Sequence, residues 1–356
     1  MGTLLNSIEV IPEKLKKLCE NRESIMDKFS GYVEDKEINR IVVVASGTSY
    51  NAAYTTKRFG EEILDLPVEV IYPNTFYNYY NPEFLSSDVL YIFISQTGST
   101  KLVHDSLVRV RDLGLMNVAI TENDESFIAS AASLSLNMGT DIEEYVYRTI
   151  GYSTTCASMV LVYLSLLRLS GKGTEEMVEA YMTDYMRAVD HLDVIVDRTH
   201  EWYEAHAEVI AGFDKFIFAG ASDLLPVAME ADIKFMEMVP VFTNHFEMEE
   251  LIHGPQNAFD EKIGYFLLAK TGIDEVKASH IAEFINTEIG PNAVLVGDTV
   301  LGDMDIFIDF ASEHFYPLEI IAVFQVLAYR IAVDRGRDLR ERINGSVNKY
   351  IQKSLI

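Results

Sequence analysis

The chain has 356 residues, 49% of them hydrophobic, and a mean hydropathy of +0.08, enough apolar surface for one large core or two ordinary ones. Fifty-five acidic against 29 basic residues give a net charge of −26, a field that repels nucleic acid and anionic membrane surfaces. Cys19 and Cys156 form neither a disulfide framework nor a metal spacing; with no signal-peptide pattern in MGTLLNSIEVIPEKLKK and no apolar run long enough to span a bilayer, a cytoplasmic setting is expected, without membrane partners.

Glu13 to Phe29 reads as an amphipathic opening helix after Pro12, Arg40 to Ser46 (RIVVVAS) as a buried strand, and Tyr50 to Leu64 as a helix. Val68 to Tyr72, Val89 to Ser95 and Asn117 to Thr121 are further strands. Apolar strands alternating with helices predict an α/β fold whose parallel sheet is covered on both faces. Tyr152 to Ser170 and Glu175 to Val194 supply a helical connector. A second series then begins near Asp214: strand Phe216 to Ala219, helix Pro226 to Met238, strand Ile263 to Ala269, helix Glu275 to Ile289 and strand Asn292 to Val296.

The two series align. VVVASGTS, ending at Ser49, has the form of KFIFAGAS, ending at Ser222; YIFISQTG, ending at Gly98, falls on YFLLAKTG, ending at Gly272. Ala269, Lys270 and Ile273 stand where the first half has Ser95, Gln96 and Ser99, so the hydroxyl cluster is single. One phosphate site per chain, built on the N-terminal half, is expected.

That cluster is the most informative stretch. Ser95, Gln96, Thr97, Gly98, Ser99 and Thr100 follow an apolar strand and precede a helix-like segment, which is the setting for an anion at a strand-to-helix turn. Gly98 lets the backbone approach the anion, and the first helical N–H groups point at it. Gly47, Thr48 and Ser49 form a second such loop, placed to flank the same crevice beyond the strand ends. Ser49 or Ser99 alone reads better as a plain helix N-cap; the cluster does not.

Glu230 and Glu237 lie seven residues apart on one predicted helix face, roughly 10 Å along the axis, with Lys234 between them. Spacing alone makes Glu230 part of a solvated Glu-Lys-Glu ladder. Glu237 ends the helix before an apolar stretch, where partial desolvation would raise its pKa and suit it to carrying a proton. His253 follows at a Gly-Pro helix stop, a position that fits a C-cap as well as catalysis, and His245 competes with it.

Ser46-Gly47-Thr48-Ser49-Tyr50-Asn51-Ala52, the Ser95 to Thr100 loop, Gly139-Thr140-Asp141-Ile142, the Glu230 to Glu237 helix and Glu250-Leu251-Ile252-His253-Gly254-Pro255 together resemble, in order, the sugar isomerase (SIS) family, in particular the isomerase half of glucosamine-6-phosphate synthase. The resemblance runs from about residue 30 to 340. It implies two SIS subdomains of flavodoxin-like topology, spanning 31–195 and 196–334, after an N-terminal helix in 1–30 and before a tail in 335–356. It also implies a sugar 6-phosphate ligand. Gly47, Thr48 and Ser49 would meet the sugar, with Glu230 lining the site; Ser95, Gln96, Thr97, Ser99 and Thr100 would form the phosphate loop. Glu237 would move a proton between C1 and C2, and His253 would assist ring opening from the neighbouring subunit of a homodimer. No cofactor or metal is implied.

Departures from the family pattern bear on the reaction. No glutamine-hydrolysing segment precedes the first subdomain, so glutamine-dependent synthesis by this chain alone is not expected. Ser99 replaces an acidic residue, and Ile150 stands where relatives often carry lysine. Glu341 falls at the expected place of the sugar-contacting tail lysine, leaving Lys349 and Lys353 in an extra tail. The chemistry expected is aldose–ketose proton transfer on an amino-sugar phosphate, with deamination as one outcome. Fructosamine-6-phosphate deglycation and a non-catalytic sugar-phosphate sensor are the alternatives.

Overall fold

Near-continuous apolar runs build the central strands of both sheets, because a strand covered on both faces has no side that needs polar residues. The computed structural model describes residues 3–355 except Ile142 and Glu144. They divide into a first unit, Glu13–Met182 with Glu341–Ile356, and a second, Met1–Pro12 with Thr183–Arg340. The division falls inside the helix Glu175–Ala211, where the sequence reading puts it at 195.

The first unit holds β1 (Arg40–Ala45), β2 (Val68–Ile71), β3 (Val89–Ile94), β4 (Asn117–Thr121) and β5 (Leu134–Asn137), all parallel, in the order β2-β1-β3-β4-β5. Every residue of β3 is buried. Helix Lys101–Asp112 sends Val103, Leu107 and Val110 against Val42, Val44, Tyr91 and Phe93 of the sheet. Helix Ile150–Leu169 packs against helices Arg22–Val33 and Thr48–Thr55. The expected opening helix is broken at Asn21 into Ile11–Glu20 and Arg22–Val33, and the expected Tyr50 to Leu64 helix is divided at Thr56.

The second unit repeats the plan. β6 (Lys215–Gly220), β7 (Thr243–Glu247), β8 (Ile263–Ala269), β9 (Ala293–Gly297) and β10 (Ile306–Phe307) are parallel in the order β10-β9-β8-β6-β7. Counted within each unit, both sheets have the flavodoxin-like order 2-1-3-4-5. Phe218 stacks on Phe266 with ring centroids 5.6 Å apart and meets Phe235 and Phe324 edge-on, fastening helices Leu225–Met238 and Tyr316–Asp334 to the sheet. Asp184 accepts hydrogen bonds from the Ser312 hydroxyl and from the Glu313 and His314 N–H groups, pinning the loop before the last of these helices.

Helices Ile150–Leu169 and Tyr316–Asp334 are long and apolar enough to cross a membrane by length and composition, but both lie largely buried within their own units. They are core helices. The strands absent from the sequence reading, β5, β7 and β10, are short, and β7 (TNHFE) is mostly polar.

Candidate functional site

In this strand order, the connections after β1 and β3 depart to opposite sides of the sheet and leave a crevice at the carboxyl ends. The register Ala45↔Ile94 starts their loops side by side. Gly47 and Gly98 take φ of 57° and 66°, a left-handed region that side chains resist. At Gly98 there is also no room: a Cβ would fall 2.1 Å from Ser126 Oγ. Thr48 opens helix Thr48–Thr55, and Ser49 is buried in its first turn.

The loop's hydroxyls pair with one another. Ser95 Oγ lies 2.9 Å from Thr100 Oγ1, and Thr97 Oγ1 lies 2.9 Å from Ser99 Oγ. Such hydroxyl pairs can reorient toward an incoming anion, since each can donate. Gln96 is committed elsewhere: its Nε2 donates to Glu122 at 2.9 Å and to Glu143 at 3.0 Å, and Gly151 sits so close that a Cβ there would meet Gln96 Oε1. Glu143 is buried and accepts from the Thr149 and Ile150 N–H groups, capping helix Ile150–Leu169 at the residue where a lysine was expected. Burial pushes the Glu122 carboxyl above its ordinary pKa, against the opposing hydrogen bond from Gln96.

The tail is part of this loop, and the sequence reading missed it. Lys101 N–H donates to the Lys353 carbonyl at 3.0 Å, Leu355 N–H donates to the Ser99 carbonyl at 2.8 Å, and Thr100 and Ser354 form an antiparallel bridge. Lys353, set aside as part of an extra tail, thus has its backbone against the end of the hydroxyl-rich turn. Glu341 instead accepts a hydrogen bond at its carbonyl from the Tyr147 hydroxyl. Long-range backbone pairing leaves no composition signal, which is why it was not legible.

The other motif of this unit lies apart from the loop contacts. Gly139 and Asp141 have positive φ, Gly139 packs against Leu18, and Asp141 is ion-paired with Lys14 at 2.6 Å. Ile142 lies outside the described residues.

In the second unit the equivalent turn is occupied by the protein itself. Thr271 N–H donates to Asp298 at 2.7 Å, and Lys270 donates to the Glu313 carbonyl while its ammonium sits 4.1 Å from the centre of the Tyr316 ring.

The Glu-Lys-Glu face is not a solvated ladder. Glu230 and Lys234 are fully buried; Lys234 Nζ lies 3.6 Å from Glu230 and 2.8 Å from Glu237. Helix Leu225–Met238 turns Glu230 and Lys234 inward, and two carboxylates around one ammonium compensate the cost of burial. Glu237 is 39% exposed, so the expected shielding by its apolar neighbours is not what distinguishes it. It is the one accessible member of the row.

His253 caps the 3-10 turn Glu250–Ile252, and its side chain is 60% exposed, with Nε2 3.0 Å from Glu249 Oε1. His245 is held by the buried Asp232 at 2.7 Å.

Residues 36–168, which contain β1 to β5 and the hydroxyl loop, match the SIS domain family. The match to that family thus lies within the first unit. The second unit carries the same strand order, so the chain holds two SIS-type sheets. Among relatives, the glutamine–fructose-6-phosphate aminotransferase (isomerizing) of Oceanobacillus iheyensis is 28% identical over 85% of this chain and 50% of its own length. That of Chlamydia pneumoniae is 25% identical over 93% of this chain and 55% of its own. The chain spans about half the length of the curated relatives it matches. Of solved structures, a candidate phosphosugar isomerase from Clostridium difficile superposes with a TM-score of 0.91 at 20% identity over 98% of both chains. The C-terminal domain of glucosamine-fructose-6-phosphate aminotransferase from Francisella tularensis gives 0.83 at 19% identity, covering 95% of this chain and 97% of its own. The fold is the one these structures share.

Proposed function

We propose that this chain is a phosphosugar isomerase acting on an amino-sugar 6-phosphate by aldose–ketose proton transfer, with deamination as one branch. The observation that carries the reading is the uncharged turn Ser95 to Thr100, with paired hydroxyls and a helix N-terminus at the crevice of the first sheet. Glu237, accessible and next to the Lys234 ammonium, takes the C1 or C2 proton and returns it to the adjacent carbon through an enediol or enolamine. His253 assists opening of the sugar ring. Its exposure supports a homodimer in which this histidine completes the partner's site. The sugar hydroxyls meet Gly47, Thr48 and Ser49, while Glu230 orients Lys234.

A second outcome, deglycation of a fructosamine 6-phosphate, is favoured by the carboxylates of Glu122 and Glu143 beside Gln96, a negative setting suited to an ammonium-bearing substrate. The test is a screen of glucosamine, galactosamine and fructosamine 6-phosphates with product analysis. Release of ammonia, of an amino acid or of neither separates the branches. Binding of these esters with no product from any of them would replace the enzymatic reading with a sugar-phosphate sensor.

A further inference from the structure

The turn that presents His253 contains two more acidic residues than a simple chain reversal requires, and each has a distinct task. Glu247 accepts from the Glu249 N–H at 2.6 Å and the Glu250 N–H at 3.2 Å, closing the turn after β7. Glu249 is freed for its neighbours. One of its carboxylate oxygens lies 3.0 Å from His253 Nε2, and the other is held by the ammonium of Lys277, from helix Ile273–Glu288. Those two hydrogen bonds, that from Lys277 the stronger, hold the Glu249 carboxyl below its ordinary pKa. A carboxylate fixed from behind by a cation and in front by an imidazole is the arrangement that selects a histidine tautomer.

We propose that Glu249 is a positioning residue for His253: by accepting the Nε2 proton it leaves Nδ1 as the ring's basic nitrogen, and Lys277 holds Glu249 in place. This rests on the reading of His253 as the ring-opening group. With Nε2–H donated to Glu249, the Nδ1 lone pair takes the proton of the anomeric hydroxyl as the bond between C1 and the ring oxygen breaks; the ring oxygen is then protonated and the open-chain carbonyl forms, with no net change in protons. As a surface ion pair the Glu249–His253 contact adds little to stability, so its removal leaves the fold intact and its effect readable.

Two measurements on the full chain decide it. In the first, protein labelled with ¹⁵N-histidine is examined by proton–nitrogen correlation, the His253 ring signal being the one lost in His253→Asn. A slowly exchanging Nε2–H signal is expected in the native chain and its loss in Glu249→Gln. Absence from the native chain, or persistence in Glu249→Gln, overturns the pairing whatever the protein's activity. In the second, using whichever ester yields product in the screen above, Glu249→Gln is expected to lower kcat by about a hundredfold, the lower end of general acid–base assistance, with KM changed less than about twofold and partial recovery in Glu249→Asp. Native kcat in Glu249→Gln with His253→Asn inactive overturns this proposal alone. Native kcat in His253→Asn overturns the histidine's part in the functional reading as well.

Discussion

The ammonium of Lys234 lies 2.8 Å from Oε2 of Glu237, yet Lys234 is buried and Glu237 is 39% exposed. A charge held inside the protein thus meets solvent only through its partner. Chemistry at Glu237 and stability at Lys234 are thereby separable.

Replacing Lys234 with Met leaves the Glu230 carboxylate inside the second unit without its ammonium. The expected cost is about 3 kcal/mol, the usual penalty for breaking a buried pair from one side. Urea unfolding checks this, and the double variant Glu230→Gln/Lys234→Met should recover much of the loss. Additive losses would show that the two groups do not interact.

Glu237→Gln should behave in the opposite way. The amide oxygen can still accept from the buried Lys234 ammonium and Glu230 stays beside it, so the expected stability loss is about 1 kcal/mol. Turnover should disappear while sugar-phosphate binding, followed by calorimetry, persists. Full activity in this variant would remove Glu237 from the mechanism.

Gly98→Ala places a methyl group against Ser126 in a left-handed backbone. A loss of about 1–3 kcal/mol is expected from strain and overlap. Because the same turn is proposed to hold the ester, affinity for inorganic phosphate should fall with it. Unchanged phosphate binding in a folded variant would separate the turn from the ligand.

Asp184 carries a pH dependence whose sign is fixed by its partners. Burial pushes its carboxyl up, but the Glu313 and His314 N–H groups, the Ser312 hydroxyl and the His314 ring together hold it below 3.8. A depressed folded pKa contributes stability that is complete above the unfolded value and lost as pH falls through the folded one. Asp184→Asn should therefore unfold at lower urea than the native chain at pH 7, and the gap should narrow below about pH 4. A gap of constant size across that range would mean that the charge of Asp184 is not what pins the loop.

Legibility followed the range of the interaction. The runs VLYIFI and IGYFLLA are apolar from end to end, so β3 and β8 were plain from composition, and aligning the halves revealed the repeated topology. β7 and β10 were not, because edge strands are short and one side of each meets solvent or a loop. The hydroxyl cluster was legible because it is contiguous. The burial of Lys234 was not: Glu-Lys-Glu at helical spacing has the same pattern on a wet face as on a dry one, and only the tertiary packing of helix Leu225–Met238 decides between them. Glu143 beneath Gln96 was hidden for the same reason as the tail, since 47 residues separate the pair.

Two copies of one topology, of which the later has Asp298 on its Thr271 amide, give the molecule an asymmetry of tolerance. A hydroxyl lost at Ser95 removes a group that nothing else in its turn replaces, whereas the matching change has already occurred at Ala269 without disturbing β8. On the proposed reading, the later lobe is free to change which carbon is deprotonated or which group departs while the ester-binding turn stays the same. Diversity of reaction on a constant handle is the inheritance such a doubled scaffold makes available.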